Sequence, residues 1–177
     1  FIVDVAPLRS VHTLELWDCV RIRDVSPLGN CCRVTLGRIN RLDVVTGLSS
    51  CEYVRLEECE KIVNVAALSM VPHLELINCK SIERVVAASN DVIRIEGCES
   101  VTQLIAMETV THLTISDCES FRESSQLNGV ADLAIKNMKH PLDLALLCDC
   151  TGRVSVDGCA TVTNAEELAA IARCLTV

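Results

Sequence analysis

Twelve cysteines and four histidines are the residues of this 177-residue chain whose side chains could carry out chemistry. Cysteine can supply zinc ligands, disulfide bonds or a catalytic thiolate. Zinc requires four ligands that converge on one point. Cys148/Cys150 and Cys31/Cys32 are single short pairs, with no partner pair at zinc-finger spacing. We therefore expect no metal site and no cofactor.

The four histidines also lack the partners that catalysis would need. His12, His73, His112 and His140 have no Cys, Ser or Asp at a spacing that suggests a nucleophile and its base. The seven glycines are scattered, so the chain has no glycine-rich phosphate loop. These patterns predict a protein that is not an enzyme.

The composition excludes several further classes of function. Sixteen basic and 24 acidic residues give a net charge of −8 without a basic stripe, which disfavours nucleic acid and anionic membrane surfaces as partners. No run of about 18 apolar residues is present that could span a membrane. The first residues, 1–4, do not resemble a signal peptide and fall inside a repeat, so we expect a piece of a longer polypeptide.

One internal repeat places most of the apolar residues. An apolar–x–apolar unit recurs eight times at a nearly constant spacing, with one step shorter by one position and the last step longer by one. The step of two within each unit predicts a short strand, and apolar residues at every third position after it are typical of 3₁₀ or extended segments. The sequence therefore predicts stacked coils, one per repeat. The units are Leu14/Leu16, Val34/Leu36, Val54/Leu56, Leu74/Leu76, Ile93/Ile95, Leu113/Ile115, Leu133/Ile135 and Val154/Val156.

Stacking places six of the cysteines in one inward column just after the strand. In this column a thiol fills the core and donates weakly to backbone groups. Parallel side chains in register point the same way, which is poor geometry for a disulfide. We therefore expect reduced thiols, a cytoplasmic location and close to twelve free thiols on titration. The column contains Cys19, Cys59, Cys79, Cys98, Cys118 and Cys159.

This spacing resembles leucine-rich-repeat proteins and is most similar to the short class found in internalins and phosphatase-regulator repeats. Residues 22–28 and 4–8 resemble the turn and back segment of that class, with Cys in place of the usual Asn. The resemblance implies an α/β solenoid of about eight repeats over residues 1–177, the first of them partial. It has a parallel sheet on the concave face and an extended or 3₁₀ convex side. A pentapeptide or hexapeptide β-solenoid would need apolar steps of five or six, which are absent.

Two parts of the chain depart from the regular repeat. The copy that ends at Ile93 is shorter than the others by one position, so we expect a tighter or slightly kinked coil there. Residues 140–148, which include a proline, predict a short helical turn. Residues 164–175 predict a helix with Asn164 as its N-cap.

Outward strand positions on the concave sheet are the predicted binding surface. Aromatic residues and arginine are enriched at binding hot spots, and the only Trp and Tyr of the chain both occupy such positions. Arg55, Glu75 and Arg94 alternate in sign along one column, and neighbours there should pair. Alternatives stay open for both: Trp17 covers the edge of the stack or contacts a preceding coil that is missing from this sequence, and the charges form a solvated ladder without a ligand. The candidate partner-binding residues are Trp17, Arg33, Arg38, Tyr53, Arg55, His73, Glu75, Ile77 and Arg94.

These features predict a non-enzymatic scaffold or adaptor module that binds another protein, within a larger assembly or a longer chain. The sequence does not identify that partner. Two other functions stay open, an extracellular adhesin or receptor ectodomain, which predicts disulfides and an export signal, and the substrate-receptor segment of a larger enzyme such as a ubiquitin ligase.

Overall fold

A computed structural model describes residues 2–127, 129–147, 150, 152–166 and 174–176. Nine of its strands form one parallel sheet in the order β1-β2-β3-β4-β6-β8-β9-β11-β13, so successive repeats are neighbours. This arrangement confirms the predicted repeat solenoid. The strands of the described residues are β1 (Thr13–Trp17), β2 (Arg33–Gly37), β3 (Tyr53–Glu57), β4 (His73–Ile77), β5 (Arg84–Val86), β6 (Val92–Glu96), β7 (Gln103–Ile105), β8 (His112–Ser116), β9 (Asp132–Lys136), β10 (Leu142–Asp143), β11 (Arg153–Asp157), β12 (Val162–Thr163) and β13 (Cys174–Thr176).

Adjacent strands of the large sheet pair in the register that the repeat predicts. Leu14 lies opposite Val34, and Val34 lies opposite Val54. The same pairing continues as far as Leu133 opposite Val154. These inward side chains are buried, and each contributes about 1.5–3 kcal/mol relative to an exposed position. A single coil cannot bury both of its apolar edges, so the stack is stable only as a unit.

The back of most coils is a short 3₁₀ helix, as the spacing of three predicts. Such a helix has about 3 residues per turn, which brings every third residue to the same face. The turn that starts several of these helices is held by an aspartate or asparagine. Asp24 Oδ1, for example, accepts a hydrogen bond from the Ser26 N–H at 2.8 Å. The helices of the described residues are η1 (Ala6–Leu8), η2 (Ser26–Asn30), η3 (Thr46–Leu48), η4 (Ala66–Leu68), η5 (Met107–Thr109), η6 (Ser124–Leu127) and η7 (Leu144–Leu147).

The short copy changes its backbone rather than merely tightening. Its back segment contains strand β5, which pairs with β7 of the next coil, and among the described residues no 3₁₀ helix follows β5 in this coil. An extended chain rises about 3.3 Å per residue against about 2.0 Å in a 3₁₀ helix, so fewer residues span the coil. Ala87 fills the buried position of this coil, and the next residue, Ala88, is exposed.

The carboxyl-terminal predictions are partly confirmed. Residues 140–148 contain η7, a 3₁₀ turn, and residue 148 lies outside the described part. Residues 165–166 have helical backbone, as predicted for 164–175, and 167–173 are outside the described part. The helix prediction is wrong at its end, because β13 pairs with β11 and places Leu175 opposite Val154. The chain there continues the strand column by one more repeat.

Candidate partner-binding surface

The solvent-facing side of the nine-stranded sheet, here called the sheet face, holds the predicted binding residues. At its amino-terminal edge the Trp17 ring lies across Gly37 of the next strand. A Cβ atom on Gly37 would come within 2.0 Å of Trp17 Cε3, so only glycine leaves room for the ring. Trp17 is therefore half-buried, with its ring covering Gly37 of β2.

Arg38 packs on the Trp17 ring and is itself held by an ion pair. Its guanidinium carbon lies 5.2 Å from the Trp17 ring centroid, within the range of a cation–π contact. Its Nε and Nη2 atoms donate to both carboxylate oxygens of Asp18 at 2.7 Å. Hydrogen bonding from Arg38 lowers the pKa of the Asp18 carboxyl. The bidentate pair holds the arginine in place before any partner arrives.

Three strands contribute a second cluster at their first positions. The Arg33 guanidinium lies 4.1 Å from the centroid of the Tyr53 ring. The Tyr53 and His73 rings are 4.9 Å apart and tilted by 46°. Burial is the main reason that the pKa of the Tyr53 phenol is raised. These three side chains are called the Arg33–Tyr53–His73 stack below.

Arg55, Glu75 and Arg94 are the third residues of their strands, a position here called the central column of the sheet face. These charged residues pair only in part as predicted. Arg55 Nη1 donates to Glu75 Oε2 at 3.3 Å, which confirms one predicted cross-strand pair. Arg55 also binds Glu57 on its own strand. Arg94 binds Glu96, two positions along its own strand. The aligned columns bring opposite charges close, and the side chains select the partner with better geometry.

Glu75 connects the central column to the stack. Its side chain is only 13% exposed, and it accepts from Arg55 and lies 3.1 Å from His73 Nε2. A carboxylate in that position would be costly without these partners. The central column and the Arg33–Tyr53–His73 stack are thus one network around Glu75. Trp17 and Arg38 lie at the opposite ends of the strands, about 13 Å away at the usual rise per strand residue.

Ile77 does not belong to the exposed surface. The sequence columns place it on the sheet face, but the residue is 6% exposed, so that prediction is wrong. It lies in register between Glu57 and Glu96, whose long side chains flank it. An apolar side chain between such neighbours is removed from water.

A cavity that the repeat pattern does not predict lies farther along the sheet face. Its volume is about 320 Å³, and it opens around Ala134. The sequence does contain a sign of this cavity. Thr114, Ala134 and Ser155 are three successive short residues in the central column. The cavity is lined by His112, Leu113, Thr114, Asp132, Leu133, Ala134, Lys136, Arg153 and Ser155.

The cysteine column is buried as predicted at Cys59, Cys79, Cys98 and Cys118, whereas Cys19 and Cys159 are half-buried. The thiol of Cys98 donates to the Leu76 carbonyl of the preceding coil at 3.4 Å, and other members repeat this contact. Burial raises the pKa of Cys98 and of Cys118 to about 12, so both are thiols at neutral pH. A nucleophile or metal ligand needs the thiolate. Within the described ranges ten cysteines are free, and no group of three or more His, Cys, Asp or Glu could hold a metal ion.

The coil geometry defines a leucine-rich-repeat solenoid of the short class. Two solved structures with this architecture are similar, both internalins of Listeria monocytogenes. Internalin F is 16% identical with a TM-score of 0.36, and the match covers 100% of this chain and 70% of that one. Internalin C2 is 16% identical with a TM-score of 0.35, with coverage of 88% and 66%.

No protein-family model matches the sequence, and no curated protein matches it. In the part of the chain that the structure describes, no helix is long and apolar enough to cross a membrane.

Proposed function

We propose that this protein is a non-enzymatic scaffold module that binds a partner protein through its sheet face. The observation that carries the proposal is the Arg33–Tyr53–His73 stack. It presents two aromatic rings and an arginine that are already held against one another. Immobilising a flexible side chain on binding costs about 0.5–1.5 kcal/mol, and a preformed stack has met much of that cost on folding.

The Trp17–Arg38 pair provides a second contact point. Tryptophan, tyrosine and arginine are the residue types most enriched among hot spots, where truncation costs about 2 kcal/mol or more (about 30-fold in affinity). The stack and this pair lie at opposite strand ends. A partner that covers both would bury the sheet face of β1 to β4 between them.

Affinity enrichment from native lysate, read by quantitative mass spectrometry, tests the proposal. The variant Trp17→Ala with Tyr53→Ala should lose at least about 10-fold of the partner signal, given two hot-spot truncations. The matched control is Val44→Ala with Val63→Ala, two exposed apolar residues on the back of the coils. Partner recovery that falls with the back-face control, and survives loss of the aromatics, would contradict the proposal.

We also propose that the protein works in a reducing compartment, the cytoplasm. The buried cysteine column supports this, because each of its contacts is made by a protonated thiol to a carbonyl. Titration of the denatured, unreduced protein should give close to twelve free thiols. Several disulfides would contradict the proposal and favour the extracellular alternative.

A further inference from the structure

The central column of the sheet face changes from long side chains to short ones. Arg55, Glu75 and Arg94 fill the surface of β3, β4 and β6. On β8, β9 and β11 the same column has Thr114, Ala134 and Ser155. The missing length leaves the cavity of about 320 Å³ around Ala134, here called the Ala134 notch. That volume lies at the small end for ligand sites and suits a side chain better than a cofactor.

Two cations flank the notch at opposite ends of its strands. Lys136 is at the end of β9 and Arg153 is at the start of β11, and both are exposed. In the described part of the chain neither forms an ion pair, whereas Arg55 and Arg94 on the same face are each bound to a glutamate. Asp157 is in register with Lys136 but does not line the notch.

The one acid that lines the notch is already engaged. Asp132 Oδ1 accepts from the Arg153 backbone N–H at 2.9 Å, and Asp132 Oδ2 lies 3.3 Å from His112 Nε2. The Thr114 and Ser155 hydroxyls line the same cavity. The notch therefore offers two cations and two hydroxyl donors, in a chain whose net charge is −8.

We propose that the Ala134 notch is a subsite for a carboxylate, the side chain of an Asp or Glu on the partner protein. Arg153 can donate to both carboxylate oxygens, and Lys136 adds a second positive charge at the far end of the notch. The Ala134 methyl group supplies an apolar floor for the methylene carbons. This inference rests on the proposed function, because it assumes that a partner covers the sheet face.

NMR titration with a small probe tests the notch without the partner. The probe is N-acetyl-L-aspartic acid amide, and its neutral analogue is N-acetyl-L-asparagine amide. The carboxylate probe should give saturable shifts at Ala134, Thr114 and Ser155 with a Kd on the order of 1–10 mM. The neutral probe should give none. Shifts spread evenly over the sheet face would overturn the assignment.

Variants separate the notch from general charge attraction. Lys136→Gln with Arg153→Gln should weaken probe binding at least about 10-fold, as expected for two charge-assisted contacts. Arg41→Gln with Lys61→Gln, two exposed cations outside the sheet face, changes the charge equally and should leave the Kd unchanged. Ala134→Gln should block the notch. The fold should tolerate the longer side chain, because the same column has Arg55, Glu75 and Arg94 on other strands. Equal loss in both double variants would contradict the proposal.

A third arm distinguishes the source of the anion. Inorganic phosphate that saturates the same residues at lower concentration than the carboxylate would replace the carboxylate assignment by a phosphorylated side chain. Because the probe is not the partner, failure of this test leaves the enrichment test of Trp17 and Tyr53 untouched.

Discussion

The sheet face of β2 to β4 and that of β8, β9 and β11 are built on the same ladder but offer a partner opposite things. On β3 and β4 the side chains are long and already bonded to one another around Glu75. Around Ala134 they are short, and among the described residues the two flanking cations form no ion pair. Register fixes where each position lies, while side-chain length decides whether it forms a platform or a notch.

The largest expected effect of a variant lies in the core that the two regions share. The cysteine column lies beneath both regions, and burial raises the pKa of Cys98 and Cys118 to about 12 from 9.0. Above pH 9 the unfolded chain loses protons that the folded chain retains, so stability falls as pH rises from about 9 to 12. The slope should reach about 1.4 kcal/mol per pH unit for each buried thiol.

Urea denaturation at several pH values between 8 and 11 measures that slope. Cys98→Ala with Cys118→Ala should be less stable than the wild type at pH 8 and should show a shallower loss with pH. A slope that the double variant leaves unchanged would mean that other groups cause the alkaline loss.

Adding a side chain should have opposite consequences in the two regions. Gly37→Val drives a Cβ into the Trp17 ring and should cost about 1–3 kcal/mol of stability. Ala134→Val enters an open cavity and should change stability by less than about 0.5 kcal/mol. Thermal unfolding compares them. In a Trp17→Ala background the penalty at Gly37 should vanish, and its persistence would show that the ring does not lie there.

Removing a cation should also distinguish the regions, with a smaller effect. Arg55→Gln leaves Glu57 and the nearly buried Glu75 without their guanidinium and should cost about 1 kcal/mol. Arg153→Gln keeps the backbone bond to Asp132 and removes a guanidinium that forms no ion pair within the described ranges, so it should be neutral within about 0.5 kcal/mol. Equal costs in chemical denaturation would show that the two regions do not differ in internal bonding.

The repeat period predicts the fold because it encodes register directly. A buried residue at the same place in every repeat predicts both the strand ladder and the cysteine column, and the structure has both. The step of three likewise predicts the 3₁₀ backs. Periodicity works here because each coil contacts only its neighbours, so no long-range packing has to be guessed.

Features that depend on side-chain size and rotamer were not predictable in this way. Ile77 occupies an outward column and is nevertheless buried between two glutamates. Arg94 pairs along its own strand rather than with Glu75. The Ala134 notch arises from what three neighbours lack, which no single position reveals. The prediction of a helix over residues 164–175 is wrong at its end, because a strand recurs there one repeat after β11.

The claim that sequence columns are spatial neighbours is tested most directly by nuclear Overhauser contacts of the Tyr53 ring. The ladder places this ring between Arg33 and His73, which occupy the same position in the repeats before and after it. We expect strong cross-peaks from the ring protons to both side chains, with ring-current shifts on Arg33. Cross-peaks to Val34 or Leu74 in their place would mean a register shifted by one residue, and would contradict the sheet face and both sites proposed on it.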